Sequence, residues 1–298
     1  MNKRIKILLY IFNIAIVMCV VLFTIEKSNN PLTGAHKKIY NIYKEEAVSN
    51  NLESVKDTAK ISIMSYNIHR GKDFEDRYSI EEIINYLEES DADIICLQEV
   101  LFSHHQLLRE LGNYESQFVA NIDIPIASTG LATYSKYPIV ESNHITLTSK
   151  TEQRGALHTV YNINDKLVNV INVHLGLDRK ERVKQVKELL EYSKDLEGEV
   201  IITGDFNQDP LKIEGFRDVG KYHGYDNKNT FIPKDVRIDY LFMTTEDMYS
   251  TGYEIEDVKY SDHYPIIANI KYKPKKKVNW SELDNTQNEN RNIYKQFN

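Results

Sequence analysis

The sequence predicts an α/β domain in which two mixed β-sheets are flanked by helices. Apolar runs of strand length recur along the chain, and segments with the apolar spacing of helices separate some of them. Other runs follow one another directly, as the strands of hairpins do. Strands joined through helices favour parallel pairing, whereas hairpin strands are antiparallel. The two patterns together therefore indicate mixed sheets with helices on their faces.

The first predicted elements alternate between strand and helix. Residues Ile61–Asn67 alternate between apolar and polar and end at a polar side chain. Ser79 is a suitable N-cap for a helix that runs through Leu87, because a serine hydroxyl satisfies a free amide at a helix start. An apolar strand, Ile94–Glu99, comes next. The following helix covers about His104–Leu111, and we expect its two histidines on the exposed face.

Strands dominate the rest of the chain. The predicted strands are Gln117–Ile122, Leu131–Tyr134, Ile139–Leu147, Ala156–Ile163, Leu167–His174, Val200–Thr203, Ile238–Met243 and Pro265–Tyr272. Asn164 and Asp165 have the residue types of a hairpin turn. A long amphipathic helix is predicted over about Lys180–Leu196, and the residues expected to face inward are Val183, Val186, Leu189 and Leu190.

The N-terminal segment, residues 1–25, is typical of a transmembrane signal anchor. A short basic flank precedes the apolar stretch Ile7–Ile25, which is long enough to span a bilayer. Basic flanks stay in the cytoplasm, so everything after this stretch is expected outside it. The chain is thus predicted to be a single-pass protein of the cell membrane with an extracytoplasmic domain. A cleaved signal peptide, which would leave a secreted protein, and a buried helix are the alternatives.

The remaining chain divides by composition into three parts. Residues 26–59 are polar and mixed in charge, and we interpret them as a stalk. Residues 60–272 contain all the predicted strands and form the main domain. Residues 273–298 are rich in Lys, Asn and Gln and poor in apolar side chains, so a disordered tail is expected.

Composition excludes some function classes. The formal net charge of -7, without a basic stripe, makes tight nonspecific DNA binding a poor fit, because such binding needs Lys and Arg to neutralise phosphates. The negative net charge does not argue against phosphodiester chemistry at a single site. The two cysteines, Cys19 and Cys96, form no zinc or thiol-catalysis pattern. The sequence gives no signal for a protein partner.

Polar side chains recur where predicted strands end or in the adjacent loops. They are Asn67, Glu99, His174, Asp205, Asn207, Asp239, Asp262 and His263. Each has an ordinary structural explanation: Asn67 could close a turn, Glu99 could cap a helix, and Asp239 could pair with Arg237. The whole set has one chemical explanation, because the carboxyl ends of strands are where open sheets bind ligands.

The residue types in this set suit metal-assisted chemistry on a phosphate. Carboxylate and amide oxygens are ligands for Mg²⁺ or Mn²⁺, and Glu99 and Asp262 can supply them. His174 and His263 can donate to phosphate oxygens. Asp239 can orient His263 and favour its charged form. Asp205 can orient or deprotonate a water.

Six short motifs occur in a fixed order that resembles the endonuclease/exonuclease/phosphatase superfamily. They are Ser65-Tyr66-Asn67-Ile68-His69, Leu97-Gln98-Glu99, Asn172-Val173-His174-Leu175, Gly204-Asp205-Phe206-Asn207, Arg237-Ile238-Asp239-Tyr240 and Ser261-Asp262-His263. The ordered set is specific, and it covers residues 60–272. The resemblance implies a four-layer α/β/β/α sandwich and divalent-metal-dependent hydrolysis of a phosphoester.

The resemblance also implies a role for each matching residue. Glu99 is expected to be the principal metal ligand, with Asn67 and Asp262 nearby. Asp205 is expected to position the attacking water, with Asn207 supporting it and the phosphate. Asp239 and His263 are expected to form an acid/base or electrostatic pair, and His174 to contact the phosphate.

Three further positions are substrate-binding candidates. The stretches around Arg154 and from Tyr66 to Gly71 are similar to a bacterial membrane-associated branch of the superfamily. Arg154 could clamp a phosphate, although a structural surface arginine is a close alternative. His69 and His158 could each reach the pocket.

The leading functional hypothesis is a membrane-anchored Mg²⁺-dependent phosphodiesterase or phosphatase outside the cytoplasm. Lipid headgroups and nucleic acids are the competing substrates, and the anchor and acidic balance favour a lipid or other small phosphodiester. A metal-dependent endo- or exonuclease is the first alternative. A non-catalytic binding protein on the same fold is the second, and the intact set of polar residues argues against it.

Overall fold

The computed structural model describes residues 60–273 apart from residues 111, 113, 125 and 126. The predicted anchor, the predicted stalk and all but the first residue of the predicted tail lie outside the described residues. Across the described residues, the helices are too short or too polar for any of them to cross a membrane.

Twelve strands and four α-helices make up the described part of the chain. The strands are β1 Lys60–Asn67, β2 Ile94–Leu101, β3 Glu115–Ile122, β4 Thr129–Ser135, β5 Ile139–Leu147, β6 Arg154–Ile163, β7 Lys166–His174, β8 Glu199–Asp205, β9 Arg217–Asp218, β10 Asp239–Met243, β11 Met248–Ile255 and β12 Ile266–Tyr272. The helices are α1 Ile80–Ser90, α2 Phe102–Leu108, α3 Arg179–Ser193 and α4 Val219–Tyr222, and 3₁₀ turns cover His69–Gly71 and Ile232–Lys234.

The strands form two mixed sheets, as the sequence predicts, and each sheet has six strands. The first has the order β11-β12-β1-β2-β4-β3 and the second the order β5-β6-β7-β8-β10-β9. In each sheet one central pair is parallel, β1 with β2 and β7 with β8. The other strand pairs are antiparallel.

The two sheets share one connectivity. In each, a strand passes through a helix to its parallel neighbour, β1-α1-β2 in one and β7-α3-β8 in the other. An antiparallel pair then extends the sheet beyond the second strand. The carboxyl ends of β1 and β8 meet across the sandwich, because the Asn67 side chain donates to the Asp205 carboxylate at 3.1 Å. We call this the site end of the sandwich.

Three apolar clusters hold the layers together. The cluster between the sheets includes Ile63 and Ile94 from the first sheet and Val170 and Ile201 from the second. Each such side chain contributes about 1.5–3 kcal/mol when it is fully buried. A second cluster packs α1 on the outer face of the first sheet, and a third packs α3, through Leu189, on the outer face of the second. The layers therefore run helix, sheet, sheet, helix.

The inward faces of both sheets change from apolar to polar toward the site end. Ser65, Gln98 and Asn172 are buried there. The Gln98 amide donates to the Asn172 side-chain oxygen at 2.7 Å and so joins β2 to β7 across the sandwich. The Asn172 amide donates to the carbonyls of Leu97 and Ala132, both at 3.0 Å. Hydrogen bonding makes this polar layer tolerable inside the protein, and it carries the strand ends above it.

The expectation that the histidines of α2 are exposed is wrong. His104 and His105 are both buried. The His105 ring stacks on Phe118, and its Nδ1 lies 2.8 Å from the Tyr134 hydroxyl. An imidazole can occupy an apolar interface when a ring nitrogen finds a partner. Burial lowers the pKa of His105 to about 4.

The inward face of α3 also differs from the prediction. Val183 is 61% exposed, whereas Leu189 is buried as predicted. Gln185 is fully buried instead: its oxygen accepts the Gly176 amide at 2.9 Å and its nitrogen donates to the Thr148 carbonyl at 2.9 Å. The first turns of α3 therefore contact two loops of the site end through hydrogen bonds. Because this inward face is polar, the spacing of apolar residues predicts the wrong face. Strand β11 was not predicted at all.

Candidate active site

Eight of the predicted site residues lie at one end of the sandwich. Asn67, His174 and Asp205 are the last residues of β1, β7 and β8, and Asp239 is the first residue of β10. Glu99 lies near the end of β2, where the pairing register with β4 shifts. Asn207 follows β8, and Asp262 and His263 precede β12. All eight side chains therefore lie at the same end of the sandwich, where strands end or, for Asp239, begin.

Unusual backbone geometry presents several of these side chains. Glu99 and Asn207 have positive φ angles of 53° and 50°. Gly204 has a φ of 141°, and a Cβ there would lie 2.0 Å from the Val173 carbonyl oxygen. Only glycine fits at that position. For residues other than glycine, such conformations cost on the order of 1–3 kcal/mol each and persist where the surrounding structure enforces them, often at functional sites.

Asp205 lies at the centre of the cluster and is buried. Its Oδ2 accepts from the Asn67 amide at 3.1 Å, and its Oδ1 accepts the Asn207 backbone amide at 2.8 Å. Oδ2 also lies 3.5 Å from His174 Nε2 and 3.7 Å from His263 Nε2. Burial raises the pKa of Asp205 to about 7, although His263 opposes this shift. A carboxyl with a pKa near neutrality is suited to proton transfer.

Asp239 and His263 form the predicted hydrogen-bonded pair. His263 Nδ1 lies 2.8 Å from Asp239 Oδ2, although the two residues come from separate segments. Burial alone lowers the pKa of His263, but the carboxylates of Asp239 and Asp205 outweigh it and raise the pKa to about 10. His263 is therefore an imidazolium at neutral pH. Arg237, the other partner considered for Asp239, instead binds Asp218 in a bidentate pair at 2.6 and 2.8 Å.

Glu99 and Asp262 face the open side of the site. Their side chains are 23% and 17% exposed. Burial raises the pKa of Asp262, and the nearby charge of Glu99 adds to the shift. Two hard carboxylates on the open side fit a divalent cation such as Mg²⁺ or Mn²⁺. The third predicted ligand, Asn67, uses its side-chain oxygen to accept the His69 backbone amide at 3.0 Å. The same His69 has its Nδ1 3.7 Å from Asp262 Oδ1.

Asp205, Asp239 and His263 also offer ligand atoms within 4.8 Å of one another. Geometry alone would allow a cation among them. A metal ligand must be a neutral imidazole, whereas Asp239 holds His263 in its charged form. The predicted cation ligands Glu99 and Asp262 lie outside this group.

Arg154 adjoins His174, whose Nε2 lies 3.5 Å from Asp205 Oδ2 and 4.0 Å from Glu99 Oε1. Arg154 is buried, and its Nη1 lies 3.0 Å from His174 Nδ1. Burial, with the charges of Arg154 and His263, lowers the pKa of His174 well below its ordinary value. His174 is thus a neutral imidazole. The predicted phosphate contact of Arg154 is compatible with this position.

His158 does not reach the pocket. Its ring nitrogens contact the Tyr192 hydroxyl at 2.8 Å and the Asn169 oxygen at 3.0 Å, between β6, β7 and α3. The prediction fails because its strand position turns the ring toward α3.

Two contacts at the site were not predicted. Arg70, which has a positive φ of 54°, places its Nε 3.3 Å from Glu99 Oε2. Arg70 lies within the Tyr66–Gly71 motif, so the sequence motif could have indicated that it lies at the site. Phe231 packs its ring 4.8 Å, centroid to centroid, from the His263 imidazole. No local pattern in the sequence indicates that contact.

Comparison with known proteins agrees with this geometry. The sequence model described as "Endonuclease/Exonuclease/phosphatase family" matches residues 64–263. The uncharacterised protein YbhP of Escherichia coli strain K12 is 28% identical over 240 residues, which cover 70% of this chain and 95% of that protein.

Solved structures share the fold at low sequence identity. TDP2 of D. rerio, in complex with a single-strand DNA product, is 19% identical with a TM-score of 0.62, covering 71% of this chain and 99% of that one. A mannosyl-6-phosphatase of Bacteroides thetaiotaomicron is 18% identical with a TM-score of 0.58. The match covers 70% of this chain and 99% of that one. At these identities the likeness concerns the fold.

The Asp239–His263 contact predicts a measurable pKa change. Asp239→Asn should lower the pKa of His263 substantially from about 10, because burial then outweighs the remaining charges. Nitrogen-15 NMR titration of metal-free protein measures it, with the His263 signal assigned by its loss in His263→Ala. Asp226→Asn, at an exposed position, is the control. An unchanged His263 titration in Asp239→Asn would contradict the pairing.

Proposed function

The chain belongs to the Endonuclease/Exonuclease/phosphatase family, and from that premise we propose that it hydrolyses a phosphodiester with the help of Mg²⁺ or Mn²⁺. One observation carries the proposal. The buried Asp205 carboxyl lies 3.7 Å from His263, which is hydrogen-bonded to Asp239, and 3.5 Å from His174, which Arg154 contacts at 3.0 Å. A base beside donors for developing charge is the arrangement that phosphoryl transfer needs.

In this proposal the side chains around Asp205 activate the water and bind the phosphate. Asp205 orients a water and accepts its proton, and Asn67 and Asn207 hold the Asp205 carboxylate in place. His263, kept charged by Asp239, stabilises the negative charge that develops on the phosphoryl group. His174 and Arg154, which lie 3.0 Å apart, contact phosphate oxygens.

Glu99, Asp262 and Asn67 are the residues that would hold the cation. A divalent ion bound there would polarise a phosphoryl oxygen and neutralise developing charge. Arg70 lies against Glu99 at the mouth, so it adds positive charge on the path of an anionic substrate.

The surroundings of the site support a lipid headgroup as the substrate. Exposed apolar side chains occur on three loops of the site end: Tyr78 before α1, Ile124 between β3 and β4, and Leu177 between β7 and α3. Leu177 is 74% exposed and Tyr78 is 80% exposed. Exposed apolar groups around a site mouth favour contact with a lipid surface.

A nuclease is the second candidate function. The observation that favours it is the shared fold with TDP2, whose structure holds a single-strand DNA product. The net charge of -7 opposes tight binding of long nucleic acids. A non-catalytic binding protein is disfavoured because the eight polar side chains from the strand ends and adjacent loops lie at one end of the sandwich.

We also propose that the domain lies outside the cytoplasm, anchored by residues 7–25. The supporting feature is the basic flank before an apolar stretch of bilayer length. A cleaved signal peptide and a secreted enzyme remain the alternative.

Glu99→Gln tests the metal-assisted reaction. Purified full chain should hydrolyse at least one of sphingomyelin, glycerophospholipid, DNA or RNA with Mg²⁺ or Mn²⁺ and lose that activity in EDTA. Glu99→Gln should lower the rate by roughly 10²-fold or more, because several kcal/mol of charge stabilisation are lost. Titration calorimetry should show weaker Mn²⁺ binding.

Glu246→Gln, an exposed substitution in the β10–β11 loop at the opposite end, is the matched control and should behave as wild type. Activity in EDTA, or equal Mn²⁺ affinity in both variants, would place the cation elsewhere. No hydrolysis of any substrate by wild-type protein would sink the proposed function.

Leu177→Asn and Ile124→Asn test the lipid assignment. Each should lower hydrolysis of a long-chain lipid in mixed micelles several-fold, because part of the contact with the lipid surface is lost. Hydrolysis of the soluble short-chain counterpart should not change. Tyr222→Asn is the control, because Tyr222 is 58% exposed, between Ile124 at 50% and Leu177 at 74%, and lies at the opposite end. Equal losses on both substrates, or no loss on either, would count against a lipid-facing site end.

The orientation is tested by a protease added to intact cells, or to spheroplasts where an outer membrane is present. The domain beyond residue 26 should be digested while a cytoplasmic marker protein survives, since the basic flank holds the N-terminus inside. Complete protection until the cells are lysed would show that the orientation is wrong.

A further inference from the structure

The Asp239–His263 pair depends on contacts that the two residues do not themselves provide. Asp239 opens β10 in the second sheet, and His263 precedes β12 in the first. The two are 24 residues apart, and their side chains meet across the site end. Something must hold both backbones at the separation that a 2.8 Å hydrogen bond requires.

Thr230 contacts both sides of this pair and is fully buried. Its hydroxyl oxygen accepts the backbone amides of Ile238 and Asp239, each at 3.0 Å. Its carbonyl accepts the Tyr264 amide at 2.7 Å, one residue after His263. One residue is therefore bonded to the backbone that carries the carboxylate and to the backbone that carries the imidazole.

The residues after Thr230 extend this connection. The Ile232 amide donates to the Asp262 carbonyl at 2.9 Å, and Phe231 forms a β-bridge with His263. The Phe231 ring packs against the imidazole. Residues 230–232 thus form a short strip that pairs with 262–264 on one side, while the Thr230 side chain binds 238–239 on the other.

We infer that Thr230 is the positioning residue of the Asp239–His263 pair, an inference that rests on the proposed function for its kinetic test. The hydroxyl is the only part of the Thr230 side chain that can accept two amides. Valine has nearly the same shape without that oxygen. Thr230→Val would leave the amides of Ile238 and Asp239 without this acceptor, and the start of β10 would shift away from His263.

The kinetic test compares Thr230→Val with Thr230→Ser in the full chain. Thr230→Val should lower kcat by about tenfold or more, toward the roughly 10²-fold expected for losing one group that stabilises developing charge. KM should change little, because the cation and phosphate contacts remain. Thr230→Ser keeps the oxygen and should stay within about threefold of wild type.

A second comparison separates positioning from general destabilisation. In a His263→Ala background, Thr230→Val should cost little further, because residues that act as a unit are non-additive. Thr159→Val is the matched control: Thr159 is fully buried in β6 and bonds Val170 and Tyr161. It should have the same small effect in both backgrounds. Equal factors for Thr230→Val in both backgrounds would overturn the inference.

A readout independent of activity distinguishes this inference from the proposed function. Nitrogen-15 NMR should show the His263 Nδ1 proton, hydrogen-bonded to Asp239, in wild type and Thr230→Ser but not in Thr230→Val. Should Thr230→Val fail to fold, Thr230→Cys offers a weaker acceptor of similar size, and the signal should weaken. An undiminished signal in the folded variant would refute the positioning role even if no substrate were hydrolysed.

Discussion

A buried carboxylate joins the two sheets at the end where the site lies. Asp205 ends β8 in the second sheet, and its hydrogen bond from Asn67 reaches the last residue of β1 in the first. Burying an ionisable group is unfavourable unless it is hydrogen-bonded, and the raised pKa of Asp205 reflects that cost. Asn67 and Asn207 stabilise the charged form, while the two histidines lie within 4 Å. The site residues surround this one group.

The fold makes such a carboxylate possible by changing the inward faces of both sheets along their length. Apolar side chains fill the space between the sheets away from the site, and the Gln98–Asn172 hydrogen bond then begins a polar layer. Above that layer the strands end, and the chain adopts positive φ angles at Glu99, Gly204 and Asn207. Stability comes from the apolar part, and the strained, polar end is available for chemistry.

Much of this arrangement is visible in the sequence because strand ends are local features. Apolar runs locate the strands, and the polar residue that ends each run points to the site; Asn67, His174 and Asp205 are found in this way. Predictions fail where contacts with residues distant in the sequence determine whether a side chain is buried. His105 is buried because its ring stacks on Phe118 and one ring nitrogen contacts the Tyr134 hydroxyl. Gln185, rather than Val183, faces the interior because its side chain hydrogen-bonds to two loops. Thr230 has no local signature either, since its partners are other backbone segments.

The distribution of charge bears on how an anion could enter such an acidic site. Four carboxylates, those of Glu99, Asp205, Asp239 and Asp262, converge there, and by themselves they would repel a phosphate. Asp239 is offset by His263, and Asp205 has a pKa near neutrality. Glu99 and Asp262 remain on the open side, where Arg70 offsets one charge. A divalent cation held by these two carboxylates would offset the rest, while Arg154 supplies positive charge beside His174. A phosphoryl group held between the two would then have the Asp205 carboxyl beside it, which is the reason for preferring metal-assisted hydrolysis to simple anion binding.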